Sequence, residues 1–354
     1  MKIAVVLGTR PEIVKMSPII KKLENRGLDF FILHTGQHYS CNMDKVFFEQ
    51  LNLPKPKYNL EVGSGTHAEE TGKMLIGIEK VLQTEKPTIV LVEGDTNTVL
   101  AGALAASKLL IKVGHVEAGL RSYDKEMPEE INRILADHIS EYLFAPTKKA
   151  KENLLKEGIA KEKVFITGNT IVDAVMQNLK LAEEIELPKE AGDKYFLVTL
   201  HRQENVDSEE RLRKILKGLE KVAEEFETTM LYPIHPRAKK RLAQFNISIS
   251  NSIRLVEPLD YLTFLKLLSN ARLVFTDSGG VQEEACILKV PCVTLRYNTE
   301  RPETLEVGAN TLAGAEPEKI VEKARIMTSK KRDWVNPFGD GKSGERIISI
   351  ISKA

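Results

Sequence analysis

Residues 89–117 read IVLVEGDTNTVLAGALAASKLLIKVGHVE, and their pattern of apolar and polar residues decides the predicted fold class. Two short apolar runs, Ile89–Glu93 and Val113–Glu117, flank one longer amphipathic run, Asn97–Leu110. Short apolar runs of this kind are typical of buried strands, and the longer periodic run is typical of a helix. A helix between two such strands predicts that the strands lie parallel and that the helix crosses over between them.

The same alternation extends to both sides of this unit. In the first half of the chain we expect strands at Ile3–Leu7, Phe30–His34, Tyr142–Ala145 and Val164–Thr167, and helices at Ile13–Asn25, Ala68–Thr84 and Glu129–Ile139. In the second half we expect strands at Tyr195–Leu200, Thr229–Pro233, Arg254–Val256, Leu273–Thr276 and Cys292–Leu295, and helices at Ser208–Phe226, Tyr261–Asn270, Val281–Leu288 and Pro317–Thr328. The whole pattern predicts an α/β protein with doubly wound parallel sheets.

The length of the chain, 354 residues, is too great for one compact core and fits two domains. The polar stretch Glu183–Lys194 contains a proline and a glycine and is the best linker candidate. We therefore predict an N-terminal Rossmann-like domain over residues 1–182 and a C-terminal one over residues 183–342. The final amphipathic segment, about residues 343–354, is expected to pack back on the N-terminal domain.

The charge balance argues against nucleic-acid and membrane partners. The chain has 51 basic and 50 acidic residues, whereas proteins that bind these polyanions usually carry a basic surplus. No apolar run approaches the ~20 residues that span a bilayer. The apolar run Ile3–Leu7 is also shorter than the core of a signal peptide, about 7–15 residues. We therefore expect a cytoplasmic protein with no nucleic-acid or membrane partner.

Neither the glycines nor the cysteines indicate a cofactor. The turn after the first predicted strand reads Gly8-Thr9-Arg10-Pro11-Glu12, without the G-x-G-x-x-G spacing of dinucleotide-binding turns. Cys41, Cys286 and Cys292 are an odd number and lack the spacing of metal ligands. We therefore predict no cofactor and no metal site.

In doubly wound sheets, ligands bind beyond the carboxyl ends of the strands, so the residues directly after each strand are informative. Arg10 and Lys15 follow the first strand and form a cationic pair near the start of a helix. Such a pair suits a phosphate group, although a solvated first helical turn would have the same residues.

Three carboxylates follow other strands of the first half. Asp95 comes after Ile89–Glu93, Glu117 ends the next strand, and Glu129 opens the helix that also carries Arg133. Asp95 could instead cap a helix, and Glu129 could be an ordinary acid in a first helical turn. Together at one sheet edge, the three carboxylates indicate general acid and base catalysis.

The second half places polar residues at equivalent points. His201 follows a strand, where it could meet a phosphate, relay a proton or serve only as a structural histidine. Ser278-Gly279-Gly280 joins a strand to a helix and would expose N–H groups to an anion. Glu284 lies one turn later and suits ribose hydroxyls, while Arg301 supplies a second cation.

Along essentially its whole length, the chain resembles the non-hydrolysing UDP-N-acetylglucosamine 2-epimerases, which have a glycosyltransferase-B-like fold. The resemblance depends on eight blocks in one order. These are Gly8–Glu12, Gly94–Thr96, Gly114–Arg121, Pro128–Arg133, Thr167–Thr170, His201-Arg202, Asp277–Glu284 and Glu300–Glu303. It implies two Rossmann-like domains with a cleft between them, a UDP-N-acetylhexosamine substrate and no cofactor. We also expect a homodimer, the commonest oligomeric state.

The resemblance implies a role for each candidate residue. Asp95, Glu117 and Glu129 correspond to the family's catalytic carboxylates, and His201 to its phosphate-facing histidine. The residues implied to bind the nucleotide sugar are Arg10, Lys15, Arg133, Leu259, Phe264, Ser278, Gly279, Gly280, Glu284 and Arg301. Phe264 would lie near the uracil ring, and Leu259 stands where bacterial members commonly have glutamine.

The implied reaction breaks the anomeric C1–O bond, removes the C2 proton to leave 2-acetamidoglucal and UDP, and adds UDP back with protonation from the other face. A hydrolysing epimerase that releases N-acetylmannosamine and a glycosyltransferase of the same fold are the alternatives. A protein that only binds nucleotide sugars is a third. Bacterial members also bind a second substrate molecule through a Gln-His-Arg segment. The corresponding segment here is Gln37-His38-Tyr39, so we expect weak or absent activation by substrate.

Overall fold

The structure is a computed structural model that describes residues 1–36, 47–192 and 194–353. The predicted Gln37-His38-Tyr39 segment and Cys41 lie outside the described residues. The chain divides into two compact units, one formed by Met1–Met176 with Phe338–Ala354 and the other by Gln177–Pro337. Both units are parallel sheets covered by helices, which confirms the predicted α/β class.

The first unit contains a parallel sheet with the strand order β3-β2-β1-β4-β5-β6-β7. Its strands are β1 Ile3–Leu7, β2 Phe30–His34, β3 Tyr58–Asn59, β4 Ile89–Glu93, β5 Lys112–Val116, β6 Tyr142–Ala145 and β7 Val164–Ile166. The order reverses direction between β1 and β4, as it does in Rossmann sheets, and this switch point is where such sheets bind ligands. The carboxyl ends of β1, β4 and β5 are therefore the place to look for a site.

Helices connect these strands and cover the sheet. They are α1 Arg10–Asn25, α2 His67–Glu85, α3 Asn97–Lys108, α4 Pro128–His138, α5 Lys148–Lys156 and α6 Thr170–Glu183, and residues 47–50 are also helical. Helix α3 is rich in small residues, and a Cβ on its Gly102 would lie 3.0 Å from Val92 Cγ1. This small surface lets α3 lie close against the sheet beside the switch point.

The second unit repeats the Rossmann order, β10-β9-β8-β11-β12-β13. Its strands are β8 Tyr195–Thr199, β9 Thr229–Pro233, β10 Ile253–Val256, β11 Val274–Thr276, β12 Cys292–Thr294 and β13 Asn310–Leu312. Its helices are α7 Gln203–Val206, α8 Glu209–Glu225, α9 Pro236–Gln244, α10 Tyr261–Asn270, α11 Gly279–Ile287, α12 Pro302–Glu306 and α13 Pro317–Thr328. Here the switch point lies between β8 and β11, next to His201 and Asp277.

The last helix, α14 Ser343–Ile351, belongs to the first unit and packs on α1. The carboxylate of Asp173 on α6 accepts the N–H groups of Ser343 and Gly344 at 3.1 and 3.0 Å. These bonds satisfy donors that the start of a helix otherwise leaves without partners. The chain thus leaves the first unit within α6 and returns to it at Phe338.

Most of the predicted strands are present within one residue at each end, but several elements were missed. The strands β3 and β13 have only two and three residues, too few to form a visible apolar run. Helices α5, α6 and α9 were also not predicted. Glu117 lies one residue beyond β5 rather than at its end, with φ of 66°. Within the described residues, no helix is both long and apolar enough to cross a bilayer.

Gly119 provides a test of this fold next to the sheet edge. Its φ is +86°, and a Cβ there would lie 2.3 Å from the main-chain oxygen of Ala150. Gly158 has a similar φ of +83°, but no atom lies within 4 Å of its hypothetical Cβ. We expect Gly158→Ala to cost about 1–2 kcal/mol, the usual penalty of left-handed backbone. We expect Gly119→Ala to cost about 1–3 kcal/mol more because of the clash.

Urea unfolding of the two variants, followed by circular dichroism, would measure this difference. Equal losses of stability in both variants would mean that the loop around Gly119 moves aside without cost.

Candidate active site

Glu117 is the centre of a buried charge cluster in the first unit. Its carboxylate oxygen Oε2 accepts a hydrogen bond from the Lys15 ammonium and one of 2.9 Å from Asn169 Nδ2. The side chains of Lys15 and Glu117 are 9% and 3% exposed, so both charges are removed from water. Burying one of them alone would be costly, and the pair compensates that cost.

Glu93 is a second buried carboxylate at this cluster, and the sequence analysis did not select it. Its Oε1 lies 3.4 Å from the Lys15 ammonium. Burial raises the pKa of the Glu93 carboxyl well above its usual range, although Lys15 acts to lower it. A glutamate that ends a buried strand is the only signal that the sequence offered for it.

Glu12 shapes the loop between β1 and α1. Its Oε2 accepts the main-chain N–H groups of Gly8 and Thr9 at 2.5 and 2.8 Å, and its Oε1 accepts the Thr96 hydroxyl. Burial raises the pKa of Glu12 to about 7, and these hydrogen bonds only partly oppose the shift. Arg10 follows directly, with its guanidinium 5.3 Å from the centre of the Phe47 ring.

Arg133 joins Asp95 to a buried carboxylate of its own helix. One nitrogen, Nη2, donates to Asp95 Oδ2, and the other, Nη1, donates to Glu130 Oε2. The Asp95 side chain remains 27% exposed, while Arg133 and Glu130 are buried. Asn132 also donates to the Asp95 main-chain oxygen at 3.0 Å. Arg133 therefore positions Asp95 and does not project alone from the helix.

Glu129 and Glu130 are neighbours with different surroundings. Glu130 accepts the N–H groups of Ser122 and Tyr123 at 3.0 and 2.8 Å, so it holds the loop that follows Glu117. Glu129, the predicted catalytic residue, is half-buried at the start of α4. Its side chain is thus available to a ligand at the surface, whereas Glu130 is fully used within the fold.

Behind the carboxylates, His115 links the loops that carry Asp95 and Glu117. Its Nδ1 lies 2.7 Å from Asp137 Oδ1, and its Nε2 lies 2.8 Å from the main-chain oxygen of Gly94. Both partners are acceptors, so both ring nitrogens donate and the ring is an imidazolium. Burial acts to lower the pKa of His115, but the Asp137 carboxylate outweighs it and leaves that pKa raised.

In the second unit, Asp277 orients His201. The Asp277 carboxylate accepts the main-chain N–H groups of His201 and Arg202 at 3.1 and 3.0 Å, and the His201 ring nitrogen Nδ1 lies 2.9 Å from it. Burial acts to raise the pKa of Asp277, but His201 and the hydrogen bonds leave it below its usual range. With Nδ1 on Asp277, His201 presents Nε2 outwards, and its side chain is 40% exposed. Asp277 was quoted in a motif but given no role by the sequence analysis.

The start of α11 forms the predicted Ser-Gly-Gly turn. Ser278 caps the helix, since its Oγ accepts the Val281 N–H at 3.4 Å. A Cβ on Gly279 would lie 2.4 Å from Glu300 Oε1, so only glycine fits at this point. A carboxylate of the chain itself therefore lies beside the turn at which an anion was predicted.

Arg301 lies between two buried carboxylates. Its Nε is 2.6 Å from Glu283 Oε1, and its Nη1 is 4.0 Å from Glu300 Oε1. Glu300 also lies 2.9 Å from Arg296 Nη1 and 3.4 Å from Arg202 Nη2. The second unit thus gathers three guanidinium groups around Glu300, close to the start of α11.

The remaining predicted contacts lie around α10. Leu259 and Phe264 are partly buried and pack on the apolar cluster of the sheet's second face. Glu284, predicted to bind ribose, is buried beside Tyr261. Burial, together with the Glu284 carboxylate, raises the pKa of Tyr261 well above its usual range. Among the described residues, no group of three or more His, Cys, Asp and Glu could hold a metal ion.

Comparisons with known proteins agree on one family. A family model described as UDP-N-acetylglucosamine 2-epimerase matches residues 21–352. The chain is 62% identical to the UDP-N-acetylglucosamine 2-epimerase of Methanocaldococcus jannaschii, over 99% of both chains. It is 58% identical to that of Methanococcus maripaludis, over 99% of this chain and 98% of the relative. The crystal structure of the M. jannaschii enzyme in complex with UDP-GlcNAc and UDP matches with a TM-score of 0.94, 61% identity and full coverage of both chains.

Glu12 and Glu69 allow a matched test of how burial acts on this site. Each is a glutamate at the third position of its helix that accepts the N–H group of the residue before the helix, at 2.8 and 3.0 Å. The pKa of Glu12 is raised to about 7 by burial, whereas hydrogen bonds from Thr66 lower the pKa of the exposed Glu69. The two carboxyls should therefore affect stability in opposite directions as the pH changes.

Between pH 4.5 and 7 the unfolded chain loses the Glu12 proton while the folded chain keeps it. The stability of the wild type relative to Glu12→Gln should therefore fall as the pH rises from 5 to 8, by on the order of 3 kcal/mol. The stability of the wild type relative to Glu69→Gln should instead rise over the same range. Urea unfolding at both pH values tests this. Parallel changes for the two variants would contradict the assigned environments.

Proposed function

The chain belongs to the UDP-N-acetylglucosamine 2-epimerase family, and from that premise we propose that it interconverts UDP-N-acetylglucosamine and UDP-N-acetylmannosamine without releasing the free sugar. The observation that supports this proposal best is the buried carboxylate of Glu117 on Lys15, at the switch point that also carries Asp95. Such a carboxylate is suited to accept a proton from carbon, a step that needs a well-placed base.

The chemistry explains why several charged groups are needed. The C2 proton of an N-acetylhexosamine has no carbonyl beside it, so direct removal is unfavourable. Departure of UDP with the electrons of the C1–O bond gives C1 positive character and makes the C2 proton acidic. Loss of that proton forms the C1–C2 double bond of 2-acetamidoglucal. In the return step UDP re-forms the C1–O bond, and a proton is added at C2 from the opposite face.

We assign proton transfer to Asp95, Glu117 and Glu129, without deciding which one removes the C2 proton. Removal and delivery on opposite faces of the sugar require at least two such groups. The charge of Asp95 is compensated by Arg133 and that of Glu117 by Lys15, so both carboxylates can stay close together. Glu129 is the least enclosed of the three.

The leaving diphosphate must be stabilised by cations and N–H donors. We assign this work to Arg10, His201 through its outward Nε2, the Ser278-Gly279-Gly280 turn and Arg301. Glu284 would then bind the ribose, with Phe264 and Leu259 beside the base. The route needs no redox or metal chemistry, because the same two carbon atoms lose and regain one proton and one diphosphate. We therefore propose an enzyme that works without a cofactor, acting in the cytoplasm as a homodimer.

Purified protein mixed with UDP-N-acetylglucosamine in D2O should form UDP-N-acetylmannosamine that carries deuterium at C2. No NAD or metal should be needed, since none takes part in the proposed steps. Proton NMR of the mixture identifies the products. Free N-acetylmannosamine would instead indicate a hydrolysing epimerase, and unchanged substrate would indicate a protein that only binds it. Product without deuterium would contradict proton exchange with solvent.

Glu117→Gln should mainly lower kcat, by about 10²–10⁴-fold, because an amide cannot accept the C2 proton. The KM should change much less, since the side-chain shape is kept. Glu126→Gln is the control, because Glu126 is an exposed carboxylate in the loop between β5 and α4. It should retain wild-type rates. Near-normal turnover of Glu117→Gln would reassign Glu117 to a structural role.

A further inference from the structure

Asn169 is fixed by hydrogen bonds from both its main chain and its side chain. It lies between β7 and α6, and its N–H donates to the Phe338 main-chain oxygen at 2.8 Å. Its side-chain oxygen Oδ1 accepts the Ile171 N–H at 3.0 Å, and its Nδ2 donates to Glu117 Oε2 at 2.9 Å. Rotating the amide by half a turn would place Oδ1 against the carboxylate and Nδ2 against an N–H group. Only one orientation of this side chain is therefore possible.

Glu117 needs such a partner because its own backbone conformation is unfavourable. Its φ of 66° lies in the left-handed region, which costs a residue with a Cβ roughly 1–2 kcal/mol. The conformation persists only where surrounding contacts determine it. Lys15 from α1 and Asn169 from the β7–α6 junction supply two donors to one oxygen, Oε2. The carboxylate is thus gripped from two separate elements.

Asn169 also lies at the two points where the chain passes between its units. Helix α6, which begins at the next residue, carries the chain from the first unit at Met176 to the second at Gln177. Phe338, which accepts the Asn169 N–H, is the first residue of the returning segment. One residue therefore connects both passages directly to Glu117.

We propose that Asn169 is a positioning residue that holds the Glu117 carboxylate in the orientation needed for proton transfer at C2. This inference rests on the proposed function, because it gives Asn169 no role apart from Glu117. The donor acts through Glu117 and touches no reacting atom itself.

Asn169→Asp is the informative substitution, because it changes the donor and keeps the rest. A carboxylate oxygen can still accept the Ile171 N–H, and aspartate is as good a helix-capping residue as asparagine. The atom facing Glu117 would change from an N–H donor to an oxygen acceptor. Contact between the two carboxyl groups would then require a shared proton.

The charges around Glu117 make that shared proton harder to keep at high pH. Lys15 is the cation at this carboxylate, and it also faces Glu93. Glu93, Glu12 and Asp95 add negative charge in the same region and interact electrostatically with one another. A further carboxylate would therefore be repelled once it ionises.

The test measures kcat and KM of wild type and Asn169→Asp between pH 6 and pH 9, with UDP-N-acetylglucosamine as substrate. We expect kcat to fall about 10–100-fold at pH 8, the usual effect of losing a partner behind a functional group, with KM within about twofold. The loss should shrink towards pH 6, where one proton can be shared. Unchanged kcat and an unchanged pH profile would overturn the proposal.

Asn153→Asp is the matched control. Asn153 is also buried, and its Nδ2 donates to the Gly119 main-chain oxygen at 2.9 Å in the loop that follows Glu117. The control introduces the same buried charge into the same loop but leaves the donor to Glu117 in place. We expect it to lower stability without the alkaline loss of kcat. The same alkaline loss in Asn153→Asp would overturn the proposal, because general loosening of the loop would then explain both variants.

Asn169→Ser provides a second arm if the aspartate variant does not fold. A serine hydroxyl can accept the Ile171 N–H but is too short to reach Glu117. It should lower kcat at every pH without the pH-dependent recovery, and wild-type kcat would overturn the proposal. Wild-type protein that forms no product overturns the proposed function and this inference together. Active wild type beside unchanged variants overturns only the role of Asn169.

Discussion

The ion pair between Lys15 and Glu117 is the interaction on which the first unit's site depends. Parallel strands bring all their carboxyl ends to one edge, so acidic residues after β4 and β5 are forced together in a region that excludes water. Such an arrangement is unstable without a buried cation. Helix α1 supplies it, and the helix is itself fixed because most of its residues are buried.

The same device recurs wherever the structure buries an acid near a candidate functional group. One cation lies between two carboxylates, the first close to the site and the second behind it. The examples are Lys15 with Glu117 and Glu93, Arg133 with Asp95 and Glu130, Arg121 with Asp137 and Glu157, and Arg301 with Glu283 and Glu300. A cation held from both sides cannot swing away, so the carboxylate nearer the site keeps a constant orientation.

The sequence predicted the two sheets because buried parallel strands are continuous apolar runs, and it predicted the sheet edge because that edge follows from the strands. Short edge strands such as β3 escaped, since two residues make no pattern. The choice between Glu129 and Glu130 could not be made from the sequence, because one residue's rotation along α4 decides which carboxylate is buried. Glu93 looked like the end of an apolar run, and the contact of Lys15 with Glu117 joins residues 102 positions apart. Such partners are set by tertiary packing, which periodicity does not encode.

The return of the chain at Phe338 has a consequence for how the protein is made. The second unit is continuous in sequence, so a ribosome delivers all of it before the helix that completes the first unit. Until that helix emerges, the surface of α1 beside Pro18 stays uncovered, and Ile347, Ile348 and Ile351 have not yet arrived to bury it. The nascent chain must therefore carry an exposed apolar strip throughout synthesis of the second unit, a state that chaperones recognise and that favours aggregation.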